Sequence, residues 1–342
     1  CADAPPEVHG VVMDSIATVA LAEPDSAPMN RIIDLLHSAD GSWYLSDNGN
    51  DRVSHFSGQG AYLGHLGGPG QGPGEFEAPQ DIVQLSTDTI AVADKLAQRI
   101  TLFVNGEADT AINLPVSPQS LVVLDHTGWI EDVDVSSGTG LLRWDRRDNT
   151  LAHFAPVPSD FTDGSVLAAT FGSGATVAWP DSVLLLLDGY AWARLYGPDG
   201  TVLDSFTVPR RLRRGTPVDL AQRLATQRDF AGMFSAASWL FGSADIGNGW
   251  VALMHGDQDY DMASRKIVNP RGYLTLLNRS TRQACVDLPM PVSGDVLPVV
   301  AFGHDTLYLL DRRITDAGGL TTTITSYLLH PDACPAEAVM KF

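Results

Sequence analysis

Four arginines stand within five positions, at Arg210, Arg211, Arg213 and Arg214, in a chain with 22 basic and 41 acidic residues. Such a cluster suits anionic lipid headgroups or an acidic partner, each charge contributing up to ~1 kcal/mol near an anionic membrane. The same arginines could instead pair with the protein's own surplus carboxylates, where each surface pair is worth little. They form the predicted partner or membrane contact. Phe230, Met233, Phe234, Trp239, Leu240 and Phe241 would either extend that contact or pack against the protein body. The run His255-Gly256-Asp257-Gln258-Asp259-Tyr260-Asp261 alternates carboxylates in a way that suggests calcium. A calcium loop, however, needs Gly at its sixth position and Glu at its twelfth, where this chain has Met262 and Val268. A solvated acidic loop is the better reading, and the same holds for Glu131-Asp132-Val133-Asp134. Nucleophilic hydrolysis has no Gly-x-Ser-x-Gly elbow to work with, and no His-Glu-x-x-His pair is present. The glycines from Gly68 to Gly74 are interrupted by prolines and not followed by Lys-Ser or Lys-Thr, so they are no phosphate cradle. No catalytic residue, metal ligand or cofactor is predicted.

The elements that must carry these residues are strands. Short alternating or β-branched runs are separated by Gly, Asp, Asn and Pro, the pattern of an all-β chain. Trp43-Tyr44-Leu45-Ser46-Asp47 is followed by a turn and Arg52-Val53-Ser54-His55-Phe56. Ile90-Ala91-Val92-Ala93-Asp94 is followed by a turn and Arg99-Ile100-Thr101-Leu102-Phe103. Looser copies run from Val183 to Val208 and from Thr306 to Leu329, and two further hairpin units span Gly128 to Phe154 and Gly249 to Leu288. Six units at irregular spacing predict a propeller with variable loops. Asp47 and Asp94 are expected to accept turn amides, with the following arginine paired to such carboxylates at blade junctions.

The linker Gly70-Gln71-Gly72-Pro73-Gly74-Glu75-Phe76, then Pro79-Gln80-Asp81-Ile82, a strand ending in Asp94 and Arg99-Ile100-Thr101-Leu102-Phe103, resembles the NHL-repeat family of six-bladed β-propellers. The match is strong over about residues 41–106 and fades to a hairpin rhythm elsewhere. The resemblance implies a six-bladed ring within residues 8–342, closed by an N-terminal strand, Ser15 to Leu21, added to the last blade. Some related propellers are lactonases or lyases that hold a central metal with carboxylates and histidines. His55, His65, His255 and His304 are the candidates for that role, but their spacing does not demonstrate convergence. One segment breaks the strand rhythm. Thr216-Pro217-Val218-Asp219 reads as a helix start, and apolar residues then recur at helical spacing, predicting a short helical insertion over 216–231 between blades four and five.

The net charge of −19 argues against nucleic-acid binding, since a phosphate backbone would be repelled. The apolar runs are far shorter than the ~20 residues of a transmembrane helix. Cys285 and Cys334 are expected to form one disulfide, with two unpaired buried thiols as the alternative. The chain starts at Cys1, followed by a Pro-rich stretch, and so resembles a mature bacterial lipoprotein, with residues 1–7 as a lipidated tether; a processing boundary that happens to fall at Cys is the other reading. The expected role is a non-enzymatic, lipid-anchored scaffold on the periplasmic side of a membrane. It would serve as an extrinsic subunit of an integral membrane protein complex, for example a photosynthetic reaction-centre and light-harvesting assembly. The alternatives are a periplasmic metal-dependent hydrolase or lyase and a ligand-binding lipoprotein.

Overall fold

In the computed structural model, residues 12–134, 138–157, 174–187, 192–215, 217, 232, 235–264, 266–292, 297–314 and 319–342 are described. They form six antiparallel sheets in a ring. After β1 (Met13–Leu21), the first blade is β2 (Ile32–His37), β3 (Trp43–Asp47), β4 (Arg52–Phe56) and β5 (Tyr62–Leu66). The second is β6 (Pro79–Ser86), β7 (Thr89–Asp94), β8 (Arg99–Val104) and β9 (Glu107–Asn113). The third is β10 (Ser120–Leu124), β11 (Thr127–Asp134), β12 (Thr139–Asp145) and β13 (Thr150–Pro156). The fourth is β14 (Gly174–Trp179), β15 (Ser182–Leu187), β16 (Trp192–Tyr196) and β17 (Val202–Thr207). The fifth is β18 (Trp239–Gly247), β19 (Trp250–Asp261), β20 (Lys266–Asn278) and β21 (Gln283–Met290), extended by β25 (Val339–Lys341). The sixth is β22 (Val299–Phe302), β23 (Thr306–Ile314) and β24 (Leu320–Leu329), completed by β1.

A blade buries neither face alone, so the core lies in the seams between blades. Val53, Leu66, Phe76, Ile82, Ile90, Val92 and Phe103 fill the seam between blades one and two. Strand β15, buried along its length, reads as the unbroken apolar run Val183 to Leu187 because it is covered on both sides.

The ring closes non-covalently. β1 pairs antiparallel with β24 from Met13 against Leu329 to Leu21 against Thr322, making the N-terminal strand the outer edge of the last blade. The C-terminal tail then crosses to the fifth blade, where β25 pairs with β21. A disulfide between Cys285 and Cys334 holds it there.

The repeat's Asp–Arg pair fastens the linkers. Asp47 accepts the Asn30 amide at 3.0 Å, and Arg52 reaches both Asp47 and the carbonyls of Ala27 and Pro28. Asp94 accepts the amides of Glu77 and Ala78, each at 3.0 Å, and Arg99 holds the carbonyls of Gln71, Gly72 and Glu75. These carboxylates therefore secure the strand-to-blade linkers as well as turns: Asp94 also takes the Ala97 amide.

The fold class needs one correction: among the described residues no α-helical element lies between β17 and β18, so the expected insertion is not found. Most of 216–231 lies outside the described residues, and helical backbone is described only at Gly232, Ser235 and Ala236. The cap and spacing signals behind that expectation are local ones, which tertiary context overrides. What the structure does place there is a pinned junction. Gly215, at φ +69°, donates its amide to Ser238 Oγ at 2.8 Å and accepts the Ser238 amide at 3.1 Å.

Breaking the Cys285–Cys334 bridge frees a loop of 49 residues, for which chain entropy gives about 4 kcal/mol. Denaturant unfolding with and without reductant should show a loss of about 2–4 kcal/mol. The Cys334→Ser variant should match the reduced protein and be insensitive to reductant.

Candidate functional site

Each innermost strand turns one unpaired edge toward the ring axis, and buried backbone groups there need partners. The axial channel encloses about 560 Å³. Along one part of its wall, Asp34 of β2 accepts the Ile82 amide of β6 at 2.8 Å. Asp81 of β6 accepts the Leu121 amide of β10 at 2.6 Å and its neighbour's Ile82 amide at 2.8 Å. Two carboxylates thus lace the inner strands of blades one, two and three. They also meet each other: burial, then the Asp81 charge and the hydrogen bond to it, push the Asp34 carboxyl well above the usual carboxylate range. Burial pushes Asp81 up as well. A proton shared between them would relieve the repulsion of two adjacent anions.

A third carboxylate, this one fully buried, organises the arginine segment at the face where the innermost strands begin, here the upper face. Asp287, in the left-handed region at φ +53° and fully buried, interrupts the apolar run of β21. Its Oδ2 accepts three successive amides, those of Arg211 at 2.5 Å, Leu212 at 2.8 Å and Arg213 at 3.1 Å. Its Oδ1 takes the Arg213 guanidinium, which also donates to the Val208 carbonyl at 3.1 Å. Thr275 Oγ1 completes the cluster, accepting the Asp287 amide at 3.2 Å and donating back to Oδ1 at 3.3 Å. Arg214 is bound differently: its amide goes to Asp257, and its guanidinium to Asp259 and the carbonyls of Ser235 and Gln258.

The four predicted contact arginines therefore divide. Arg213 is buried and Arg214 half-buried, both engaged internally, whereas Arg210 and Arg211 are exposed and have no ion-pair or hydrogen-bond partner for their side chains among the described residues. Between them and Arg213 stands Leu212, 46% exposed. Cys1 lies outside the described residues.

The acidic stretch after His255 is consumed by internal bonds. Asp257 takes Ser238 Oγ at 2.6 Å, Asp259 takes Asn269 at 3.2 Å, and Asp261 takes the Ala263 amide at 3.0 Å and Ser264 Oγ at 2.6 Å. His255 is itself 7% exposed and stays neutral, burial and the neighbouring Arg213 charge holding it well below the ordinary histidine range. The four candidate histidines do not converge. His55 stacks on Tyr44, His65 bonds the Tyr62 hydroxyl, and His304 lines a 220 Å³ cavity between the turns of blades five and six. Among the described residues, no three His, Cys, Asp or Glu side chains come together as a metal site.

Sequence reasoning missed Asp34, Asp81 and Asp287. A signal existed for the first two: each stands thirteen residues before a repeat aspartate, Asp47 and Asp94. For Asp287 the signal was a lone carboxylate between Val286 and Leu288.

Comparison with known proteins agrees with this architecture. The family DUF5128, described as a 6-bladed beta-propeller, matches residues 10–137, the span from β1 into the third blade. A Bacteroides fragilis protein designated as exported superposes with a TM-score of 0.67 at 11% identity, over 93% of this chain and 96% of its own. A DUF4221 family member from Bacteroides vulgatus gives 0.66 at 10% identity, over 94% and 99%. No curated protein matches. The chain is a six-bladed β-propeller.

The raised carboxyl pKa values fix a direction for pH dependence. A group whose folded pKa lies above its unfolded value, about 3.9 for Asp, adds stability that is complete below the unfolded pKa. That stability is lost as pH rises through the folded value. Asn at position 34 can keep the Ile82 bond and donate to Asp81 without ionising. The gain in thermal midpoint of Asp34→Asn over the wild type should therefore grow from pH 5 to pH 8; a constant difference would refute the shared proton. Asp287→Ala should cost about 3–5 kcal/mol, because it strands a buried guanidinium and three amides. A loss under 1 kcal/mol in denaturant unfolding would contradict the clamp.

Proposed function

We propose that this propeller is a non-enzymatic extrinsic subunit, held on a membrane surface through a lipid on Cys1, that stabilises an integral membrane protein complex. A photosynthetic reaction-centre and light-harvesting assembly is one setting of that kind. The observation that carries the reading is the difference between the two faces of the ring. Four of the large apolar side chains most exposed to solvent, Leu96, Leu212, Met262 and Leu320, stand on upper-face connections or hairpin ends. The other exposed ones, Ile16, Leu63, Val202, Leu203 and Val339, lie on outermost strands. The N-terminal strand begins at the lower face, where the Val12 carbonyl accepts the His330 amide at 2.8 Å and Asp14 meets the His330 ring. A tether leaving residue 12 would reach a membrane from below while the upper face stays free for a partner. The likeness to an exported protein and the disulfide suit an oxidising, extracytoplasmic setting. No helix among the described residues is long and apolar enough to cross a membrane.

The channel carboxylates are the observation that favours the hydrolase or lyase reading. Their donor set does not fit a bound catalytic metal: Asp34 and Asp81 are engaged by amides and by each other, and no third ligand joins them among the described residues.

Isolation from native membranes in mild detergent should recover the protein with a stoichiometric membrane complex, and intact mass should show an acylated Cys1. Recovery only as an unmodified free monomer would reject the proposal.

A further inference from the structure

Among the described residues, Arg210 and Arg211 carry unpaired guanidiniums, on a protein of net charge −19 where carboxylates are the commonest charged neighbours. Their isolation is built in. Asp287 spends its second oxygen on the backbone amides of residues 211, 212 and 213, which fixes the loop's course while Arg210, Arg211 and Leu212 stay exposed, the Arg210 side chain lying over Gly215. Arg213 closes the loop back onto Val208, and Arg214 anchors it to the long β19–β20 hairpin. Behind the tip, Gly215 leaves room for the Arg210 side chain: a Cβ there would come within 2.3 Å of its Nη1. A loop fixed at its base, bearing two arginines and a half-exposed leucine, loses little conformational freedom on binding, and arginine is prominent among residues that dominate interface energies.

We propose that the tip Arg210–Arg211–Leu212 docks an acidic protein segment, its guanidiniums taking carboxylates in bidentate pairs and Leu212 packing against an apolar side chain of the partner. This rests on the interaction-subunit reading for its biological setting and deepens it by naming the contact and the partner's chemistry. Charge complementarity selects an anionic partner. With the lipid tether proposed above, the placement of the N-terminal strand favours a protein over a bilayer, since β1 begins at the face opposite this loop. Bidentate geometry also favours arginine over lysine in this role.

The test uses the full chain produced without acylation of Cys1, so that no lipid confounds the vesicle arm, with a fluorescein-labelled acidic peptide of repeated Glu-Glu-Leu and phosphatidylglycerol vesicles. Wild type should bind the peptide with an affinity that falls as salt rises, and should not co-sediment with the vesicles. Arg210→Gln with Arg211→Gln should weaken peptide binding at least tenfold at an unchanged thermal midpoint. Substitution of both by Lys should restore only part of it, and the lower-face control Arg146→Gln with Arg147→Gln should bind like wild type. Equal peptide affinity for wild type and the Gln variant, or binding to vesicles alone, would overturn the proposal. Copurification separates the two readings. A membrane complex recovered equally with wild type and the Gln variant overturns the tip and leaves the subunit reading standing. No complex with wild type, alongside tip-dependent peptide binding, overturns the subunit reading and supports the tip.

Discussion

Among the described residues, joint after joint in this ring poses the same problem, backbone amides on a strand edge or linker that no neighbouring strand can satisfy, and aspartate side chains meet it repeatedly. Asp47 and Asp94 take the linker amides entering a blade, Asp34 and Asp81 take inner-edge amides across two blade seams, and Asp287 takes three amides of one loop. A hydrogen bond to a charged group contributes about 1.5–3 kcal/mol, and leaving such a buried donor unmade costs a similar amount. Because the apolar seams are non-directional, these bonds are what set the angle and register at which one blade meets the next. The channel shows the limit of the device. Where two such carboxylates meet, full ionisation would place two anions side by side, and a shared proton is the cheaper state.

Asp287 illustrates why a buried ion pair should be judged by everything that touches it. Removing Arg213 and Asp287 from water costs several kcal/mol per ion, which their mutual attraction alone need not recover. Here the remaining lone pairs are filled by three amides and Thr275, so the carboxylate is satisfied on all sides. The stabilising return is conformational: the segment from Val208 to Gly215 has a single course although no sheet contains it. A fully satisfied polar network of this kind specifies a geometry in a way that apolar contacts cannot.

Much of the fold was legible because propeller repeats write local chemistry at fixed offsets. Asp47 with Arg52 and Asp94 with Arg99 repeat the same spacing since each pair performs the same linker-holding task, and these two units with four looser hairpin units pointed to six blades. The Cys285–Cys334 pairing was legible by elimination. The fate of the arginine cluster was not, because four adjacent arginines look alike in sequence, and only the position of Asp287, more than seventy residues later, separates the buried one from the exposed ones. The channel pair escaped for a similar reason: Asp34 and Asp81 meet only once two blades are stacked. The helix expected over 216–231 came from capping residues and spacing alone, signals with no information about whether a neighbouring surface is available to bury its apolar side.

Net charge is a poor guide to how this ring would meet a partner, because much of it lies on the face opposite the arginine tip. The turns joining the first and second strands of five blades carry the exposed aspartates Asp40, Asp88, Asp125, Asp181 and Asp305 on the lower face. Hydroxyl groups beside them, Ser42 for Asp40, Ser86 for Asp88 and Ser182 for Asp181, hold those three carboxyls below the usual range, so they remain charged. An innermost strand of six residues separates that ring from the upper face by about 20 Å, against a Debye length of about 8 Å at physiological ionic strength. At that distance the lower carboxylates are screened from a ligand approaching Arg210 and Arg211. What such a ligand senses is the local pair of guanidiniums and the carboxylates nearest to them, two of which, Asp287 and Asp259, are already paired with Arg213 and Arg214. The internal pairing of two arginines thus frees the other two to present positive charge on an acidic protein.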